Sequence, residues 1–235
     1  MRKVRPQDVR NDFATLVTER LQHFDRLELA LKGTAHEKRD LTTLTEVTLH
    51  SIYVAFECFL SDLLLAYINR DPSQYQQNLE VRIRASVQSK FGHWASGRMS
   101  FAATKHIKLD ELEEALDPDR YNLTFKDVAT LKQRCAEWVA LPHRNGVMSL
   151  GDADSRLIDT VHAIRNFIAH RSPNAKTIMN DRLATVITGP TCPNLNLNRG
   201  AHYIHNIGSF LKAKPGGVMR MRQFAMRLNG IAAGL

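Results

Sequence analysis

Apolar residues recur at helical spacing in the N-terminal part of the chain. Pro6 suits the first turn of a helix because its missing N–H has no partner there, and Gly33 suits the end of that helix. A second helix is predicted from about Asp40 to Asn69, before Pro72, and we expect the two helices to pair as an antiparallel hairpin. The first helix is predicted from apolar residues three or four apart: Val9, Phe13, Leu16, Val17, Phe24, Leu27 and Leu31.

The middle of the chain has a weaker pattern, and residues 73–120 are predicted to form an insertion. Two helices are expected within it, over 78–91 and 109–116. Beyond it, Thr124-Phe125-Lys126-Asp127 resembles a capping box with Asp in place of the usual Glu. That motif predicts a further helix, which runs to Leu141.

The C-terminal third opens with a clearly amphipathic segment. A helix is predicted over about 153–171, with Asp152 or Asp154 as its N-cap and Ser172-Pro173 at its end. A shorter helix is expected to follow, to Val186. The apolar stripe of the 153–171 helix consists of Leu157, Val161, Ile164 and Ile168.

Residues 189–217 are rich in proline and glycine and are predicted to be mostly loop. The last helix is predicted from Val218 to about Asn229. Strand-like runs are short and isolated. The sequence therefore predicts an all-α fold, organised as a single domain over 1–235 with a loop-rich segment before its C-terminal helix.

Charge is distributed very unevenly along the chain. Residues 1–159 carry 22 Lys or Arg and 23 Asp or Glu, whereas residues 160–235 carry 10 Lys or Arg and a single acid, Asp181. Such asymmetry favours a surface for a polyanion, most simply nucleic acid, and a basic solvated face is the alternative.

Targeting and cysteine patterns favour the cytoplasm. The charged N-terminus lacks the apolar segment of a signal peptide, and no apolar run approaches the ~18 residues that span a bilayer. The three cysteines are widely spaced and odd in number, which favours a reducing compartment. We therefore expect a cytoplasmic protein that does not contact a membrane.

One helix carries a polar stripe suited to phosphodiester chemistry. His162, Asn166 and His170 are spaced i, i+4 and i+8, and Arg165 lies beside them. Because Arg165 and His170 are five residues apart, about 140° around the axis, they are expected to flank a groove. A guanidinium binds phosphate, and an imidazole transfers protons near neutral pH. RNA supplies its own 2′-OH nucleophile, so no cofactor or metal is expected.

The stretch Arg165-Asn166-Phe167-Ile168-Ala169-His170 resembles the active-site motif of the HEPN-superfamily ribonucleases. The resemblance implies a helical bundle and a homodimer in which two motifs face each other. It also implies metal-independent endonucleolytic cleavage of RNA, which leaves a 2′,3′-cyclic phosphate and a 5′-hydroxyl. In this scheme His170 is the general acid/base, Arg165 binds the phosphate and Asn166 positions the reacting groups.

Other residues are assigned supporting roles. Glu57, inside an apolar helix, is expected to pair with Arg165 or to orient His170, unless it simply reaches solvent. His162 is a second supporting candidate. RNA is expected to be guided by Arg171, Ser172 and Lys176. Family members serve as toxins or antiviral-defence effectors, which implies a cognate antitoxin or regulatory protein as a further partner.

Two alternatives remain open at the level of sequence. Three Arg–His pairs in the chain have the spacing of the motif, and about as many are expected by chance from its composition, so spacing alone does not identify a site. The adjacent Asn, the helical setting and the basic surroundings together distinguish the pair at Arg165. The alternatives are a non-catalytic HEPN-like module that binds RNA or a protein, and a helical interaction protein whose charge is incidental. His202 and His205 lack a neighbouring Cys or carboxylate, so no metal site is predicted there.

Overall fold

The computed structural model describes residues 4–102, 104–117, 123–186, 195 and 203–235. Within them the all-α prediction is confirmed: 79% of these residues are helical and none forms a strand. The α-helices of the described residues are α1 (Pro6–Leu31), α2 (Glu37–Arg70), α3 (Ser73–Ser96), α4 (Leu109–Leu116), α5 (Val128–Trp138), α6 (Asn145–Met148), α7 (Asp152–His170), α8 (Pro173–Thr185), α9 (Ile207–Lys212) and α10 (Arg220–Gly234).

The chain forms two compact units. Unit 1 comprises Met1–Val9 and Leu60–Ser149, and unit 2 comprises Arg10–Phe59 and Leu150–Leu235. Along the chain, residues 60–149 of unit 1 therefore separate the two halves of unit 2, a longer interruption than the insertion predicted at 73–120. The single domain over 1–235 stays a prediction, as does the likeness of the bundle to the HEPN fold.

The core of unit 2 begins with the predicted helical hairpin. The Phe13 ring of α1 stacks on Phe59 of α2, with centroids 5.0 Å apart, and also packs on Phe56 at 5.6 Å. A short turn that contains Gly33 at φ 79° joins α1 to α2. Because Phe13 near the start of α1 contacts residues in the second half of α2, the two helices run antiparallel.

The remaining helices of unit 2 bury one face each. On α7 the buried residues include Leu157, Val161 and Ile164, as the predicted stripe requires, and Phe167. Ile168, the fourth predicted member, is only partly buried. The other buried side chains of these helices include Met179 and Leu183 of α8, Leu211 of α9, and Met221, Phe224 and Leu228 of α10.

A glycine allows α9 to approach α2 within unit 2. A Cβ at Gly208 would lie 2.5 Å from Cγ2 of Thr42 and 2.9 Å from its carbonyl oxygen. Side chains of any size are therefore excluded here, and the Gly208 N–H donates to Glu46 at 3.1 Å. The helix at 207–212 lies inside the segment 189–217 that was predicted to be mostly loop; of this segment the structure describes residue 195 and residues 203–217.

Two predicted helix caps are wrong. The Asp127 backbone is extended and its carboxylate accepts a hydrogen bond from the Thr130 N–H, so α5 begins at Val128 rather than after Thr124. The N-cap of α7 is Gly151. Asp152 and Asp154 instead lie in the first turn, where their negative charge interacts favourably with the positive end of the helix dipole. In both cases several polar residues compete for the cap, and backbone conformation decides between them.

Three helices end beyond or before their predicted limits. α3 continues past 91 to Ser96 through Gly92, whose φ of 81° and ψ of 172° break the helical path. α5 ends at Trp138, because Val139 is extended and Leu141–His143 forms a separate 3₁₀ turn. α10 extends to Gly234, past the predicted end at Asn229.

α2 is long and apolar enough to cross a membrane by length and composition alone. In this structure 72% of its most apolar window is buried inside the protein. A core helix of a soluble protein meets the same criterion, so this property of α2 assigns no location.

Candidate functional site

The predicted catalytic arginine is held by two partners in unit 2. Nη2 of Arg165 lies 3.0 Å from Oε2 of Glu57, and Nη1 donates to Oδ1 of Asn166 at 2.8 Å. The Nε of Arg165 is buried and has no hydrogen-bond partner among the described residues. A buried donor left unpaired is uncommon in folded proteins and is found at functional sites. Glu57 thus takes the first of its two expected roles.

His162 joins this network through Asn166. Nδ2 of Asn166 lies 2.9 Å from Nε2 of His162. Arg165 has only donors, so the oxygen of the Asn166 amide must face it and the amide nitrogen must face the imidazole. Nε2 of His162 is therefore assigned as the acceptor of this hydrogen bond.

Two residues of α2 that the sequence did not single out complete the arrangement. The Tyr53 ring is parallel to that of His162, with centroids 5.8 Å apart and 9° between planes. His50 lies nearby: burial and, after it, the charge of Arg165 lower the pKa of its imidazole. His50, Tyr53 and Glu57 share one face of α2, with spacings of three and four residues. That spacing within an apolar helix is the signal that was available in the sequence.

We call the six residues that meet here the polar cluster: His50, Tyr53 and Glu57 of α2, and His162, Arg165 and Asn166 of α7. Burial raises the pKa of Glu57, and the Arg165 charge opposes this shift. Burial, then Glu57 and Asp159, raise the pKa of Tyr53 well above its ordinary value. Burial and Arg165 lower the pKa of His50. At neutral pH the phenol is thus protonated and His50 is neutral.

His170 lies apart from the polar cluster. It is the last residue of α7, its side chain is exposed, and it forms no hydrogen bond or ion pair with a described residue. Helix geometry places it about 7.5 Å further along the axis than Arg165 and about 140° around it. The next residue, Arg171, ends α7 in the left-handed conformation at φ 52°. The structure thus gathers Arg165, Asn166, His162 and Glu57, and leaves His170 accessible.

The three predicted RNA-guiding residues have different surroundings. Arg171 forms an ion pair with Glu46, and its guanidinium lies 5.3 Å from the Phe167 ring centroid. Ser172 caps α8, because its hydroxyl accepts from the Ala175 N–H at 3.2 Å. Nζ of Lys176 lies 5.4 Å from the centroid of the Tyr203 ring. Unlike Arg171, Lys176 has no carboxylate partner among the described residues.

Positive charge in the last third is largely compensated inside unit 2. Six of the ten Lys and Arg residues of 160–235 form ion pairs with carboxylates of this unit. The compensation explains how so basic a segment folds, and it reduces the charge available to a polyanion. The pairs are Arg165 with Glu57, Arg171 with Glu46, Arg182 with Asp159, Lys214 with Glu28, Arg222 with Asp25, and Arg227 with Asp154.

Metal-ligand geometry is not found in the part of the chain that the structure describes: no three His, Cys, Asp or Glu side chains there are placed to share an ion. His202 lies outside the described residues, and His205 is exposed, with its ring 5.2 Å from Tyr203.

No family model, curated protein or solved structure matches this chain. The HEPN assignment therefore stays a prediction based on residues 165–170 and their setting.

Proposed function

We propose that this protein is a metal-independent endoribonuclease of HEPN type. The observation that carries the proposal is the placement of Arg165, which Glu57 and Asn166 hold from two sides. A guanidinium fixed in this way is preorganised to stabilise negative charge on a phosphate, which lowers the barrier without reorganisation at the moment of reaction. Its side chain is 25% exposed, so a substrate phosphate has access to it.

The proposed reaction is attack of the 2′-OH on the adjacent phosphorus. A base removes the 2′-OH proton, the P–O5′ bond breaks, and an acid protonates the departing 5′-oxygen. The products are a 2′,3′-cyclic phosphate and a 5′-hydroxyl. We assign proton transfer to His170, because its exposed side chain at the end of α7 can reach a substrate. His162 is held by Asn166, and we assign it a positioning role.

The reaction needs one base and one acid, and a homodimer supplies two copies of His170. We therefore include a homodimer in the proposal, with the two α7 helices lining one cleft. The neutral His50 near Arg165 is the competing base within a single copy. RNA as substrate, a cytoplasmic location, a role as toxin or antiviral effector, and a cognate antitoxin or regulator follow from the family resemblance and are proposed on that ground.

A second candidate function has two observations in its favour. Arg165 is engaged by Glu57, and His170 is not part of the polar cluster, as would suit a HEPN-like module that binds RNA or a protein without cleaving it. A partly buried ion pair with an unpaired Nε–H is costly for a site that serves stability alone, which favours a functional site over a purely structural one.

The experiment that tests the proposal is end-group analysis of RNA incubated with the purified chain and excess EDTA. We expect 2′,3′-cyclic phosphate and 5′-hydroxyl ends, and no cleavage of DNA, which lacks the nucleophile. Products with 3′-hydroxyl and 5′-phosphate ends, or activity lost with EDTA, contradict the mechanism. RNA binding without cleavage supports the second candidate.

A further inference from the structure

Two large aromatic side chains protrude from unit 1 near the end of α3. Phe91 is 72% exposed and Trp94 is 73% exposed. Gly92 lies between them, and its φ of 81° turns the helix at this point in a conformation that other residues rarely adopt. Exposed aromatic rings of this size are unfavourable in water and mark interaction sites when they occur together.

The surroundings of these rings are basic. Residues 81–109 contain six Lys or Arg and no Asp or Glu. Lys90 directly precedes Phe91, and the Arg98 guanidinium lies 4.6 Å from the centroid of the Trp94 ring. Both cations are exposed, and neither is ion-paired with a described carboxylate. Unlike the six ion-paired cations of 160–235, they therefore keep a charge that is available to an external anion.

We propose that Lys90, Phe91, Trp94 and Arg98 form a binding surface for single-stranded nucleic acid, which we call the aromatic–basic patch. Bases stack on the two rings and phosphates contact the two cations, the combination by which sequence-tolerant single-strand binders work. Arg98 covers one face of the Trp94 indole, and the ring's exposure leaves the other face open to a base. The patch requires neither Arg165 nor His170, so it is independent of the proposed catalysis.

An anionic membrane is the competing partner for such a surface. Membrane-surface helices bury a continuous apolar face at the interface. Here the exposed positions before the rings include Ser86, Gln88 and Ser89, and Gly92 interrupts the helix between the rings. Two separate rings among polar residues fit stacked bases better than an apolar boundary.

The test is the affinity of the full chain for labelled oligothymidylate and oligouridylate of about twelve nucleotides, measured by fluorescence anisotropy. We expect both to bind, and the double variant F91A/W94A to bind about tenfold or more weakly. Trp94→Phe should keep most of the affinity because it keeps a ring. Val81→Ala, which shortens another exposed apolar side chain of α3, is the matched control and should bind as wild type does. DNA escapes the proposed cleavage, so binding is measured separately from catalysis.

A charge series provides an independent arm. K90E/R98E should weaken binding and reduce the salt dependence by about two phosphate contacts. K32E/K126E makes the same change in net charge at exposed positions outside 81–109 and should have a much smaller effect. Circular dichroism checks that every variant is folded.

Three results overturn the proposal. The first is that the wild type binds neither oligothymidylate nor oligouridylate. The second is unchanged affinity in F91A/W94A. The third is co-sedimentation of the wild type with phosphatidylserine vesicles that depends on Phe91 and Trp94, without binding to single strands, which assigns the patch to a membrane surface.

Discussion

The Glu57 carboxylate of α2 and the Arg165 guanidinium of α7 form an ion pair, with Oε2 and Nη2 3.0 Å apart. The two side chains are 11% and 25% exposed, so both charges are largely removed from water. This pair fixes the guanidinium and also offsets its charge, so the proposed substrate phosphate would have to bind the donors that Glu57 and Asn166 leave unoccupied. Glu57 thus has two opposite effects on the proposed activity: it positions the Arg165 guanidinium, and it competes with a phosphate for it.

Arg165→Ala should lower RNA cleavage by ~100-fold or more, because it removes charge stabilisation from the transition state. The measurement is the single-turnover rate at saturating protein. Arg156→Ala is the matched control, since Arg156 lies on the same helix, has a His at similar spacing, and pairs with Asp152 at 3.0 Å. Equal rates for the Arg165 variant and the wild type exclude Arg165 from catalysis.

Glu57→Gln should change how stability depends on pH. Burial raises the pKa of Glu57 in the folded chain above its ordinary value of 4.5, despite the opposing Arg165 charge. Between the unfolded and folded pKa values the folded chain holds more protons, so the free energy of unfolding falls as pH rises through that window. Below the unfolded value both states are protonated and this penalty is absent.

Urea unfolding of the wild type and Glu57→Gln across a pH series measures this effect. The free energy of unfolding of the wild type minus that of the variant should decrease as pH rises from about 4.5. A difference that grows with pH contradicts this expectation and means that the Arg165 charge outweighs the burial of Glu57.

Lys176→Glu should weaken RNA binding and lower its salt dependence by about one phosphate contact. Lys176 faces the Tyr203 ring and lacks a described carboxylate partner, unlike six of the ten Lys and Arg residues of 160–235. Affinity is measured over a range of salt concentrations, with Lys32→Glu as an exposed control of equal charge change. If both variants show the wild-type salt dependence, Lys176 does not contact RNA.

The protein should sediment as a homodimer at micromolar concentration, because two copies of His170 supply both the acid and the base. Sedimentation velocity of the wild type measures this directly. A monomer that cleaves RNA contradicts the dimer mechanism and points to His50 as the second proton-transfer group.

Local sequence signals predicted much of the fold. Pro6, Gly33 and the apolar periodicity located α1 and α2 within a few residues, and Leu109–Leu116 matches its predicted range. The signals failed where several residues suit one role, as at the caps of α5 and α7. They failed again at Gly92, because tertiary contacts decide whether a helix continues through a glycine.

The candidate site was predictable along α7 and, on α2, at Glu57 alone. Spacing placed His162, Asn166 and Arg165 together, since helix geometry is local. The contributions of His50 and Tyr53 depend on the packing of α2 against α7, more than a hundred residues apart in the sequence. Charge counting also could not show that most cations of the last third pair with acids of α1, α2 and α7.

Proton transfer by His170 in RNA cleavage is tested by comparing single-turnover cleavage by the wild type and His170→Ala with EDTA present. His170 is exposed at the end of α7, so the variant should fold as the wild type does. His205→Ala, at another exposed histidine, is the control and should cleave normally. We predict a loss of ~100-fold or more in His170→Ala alone. Cleavage by folded His170→Ala at the wild-type rate contradicts it.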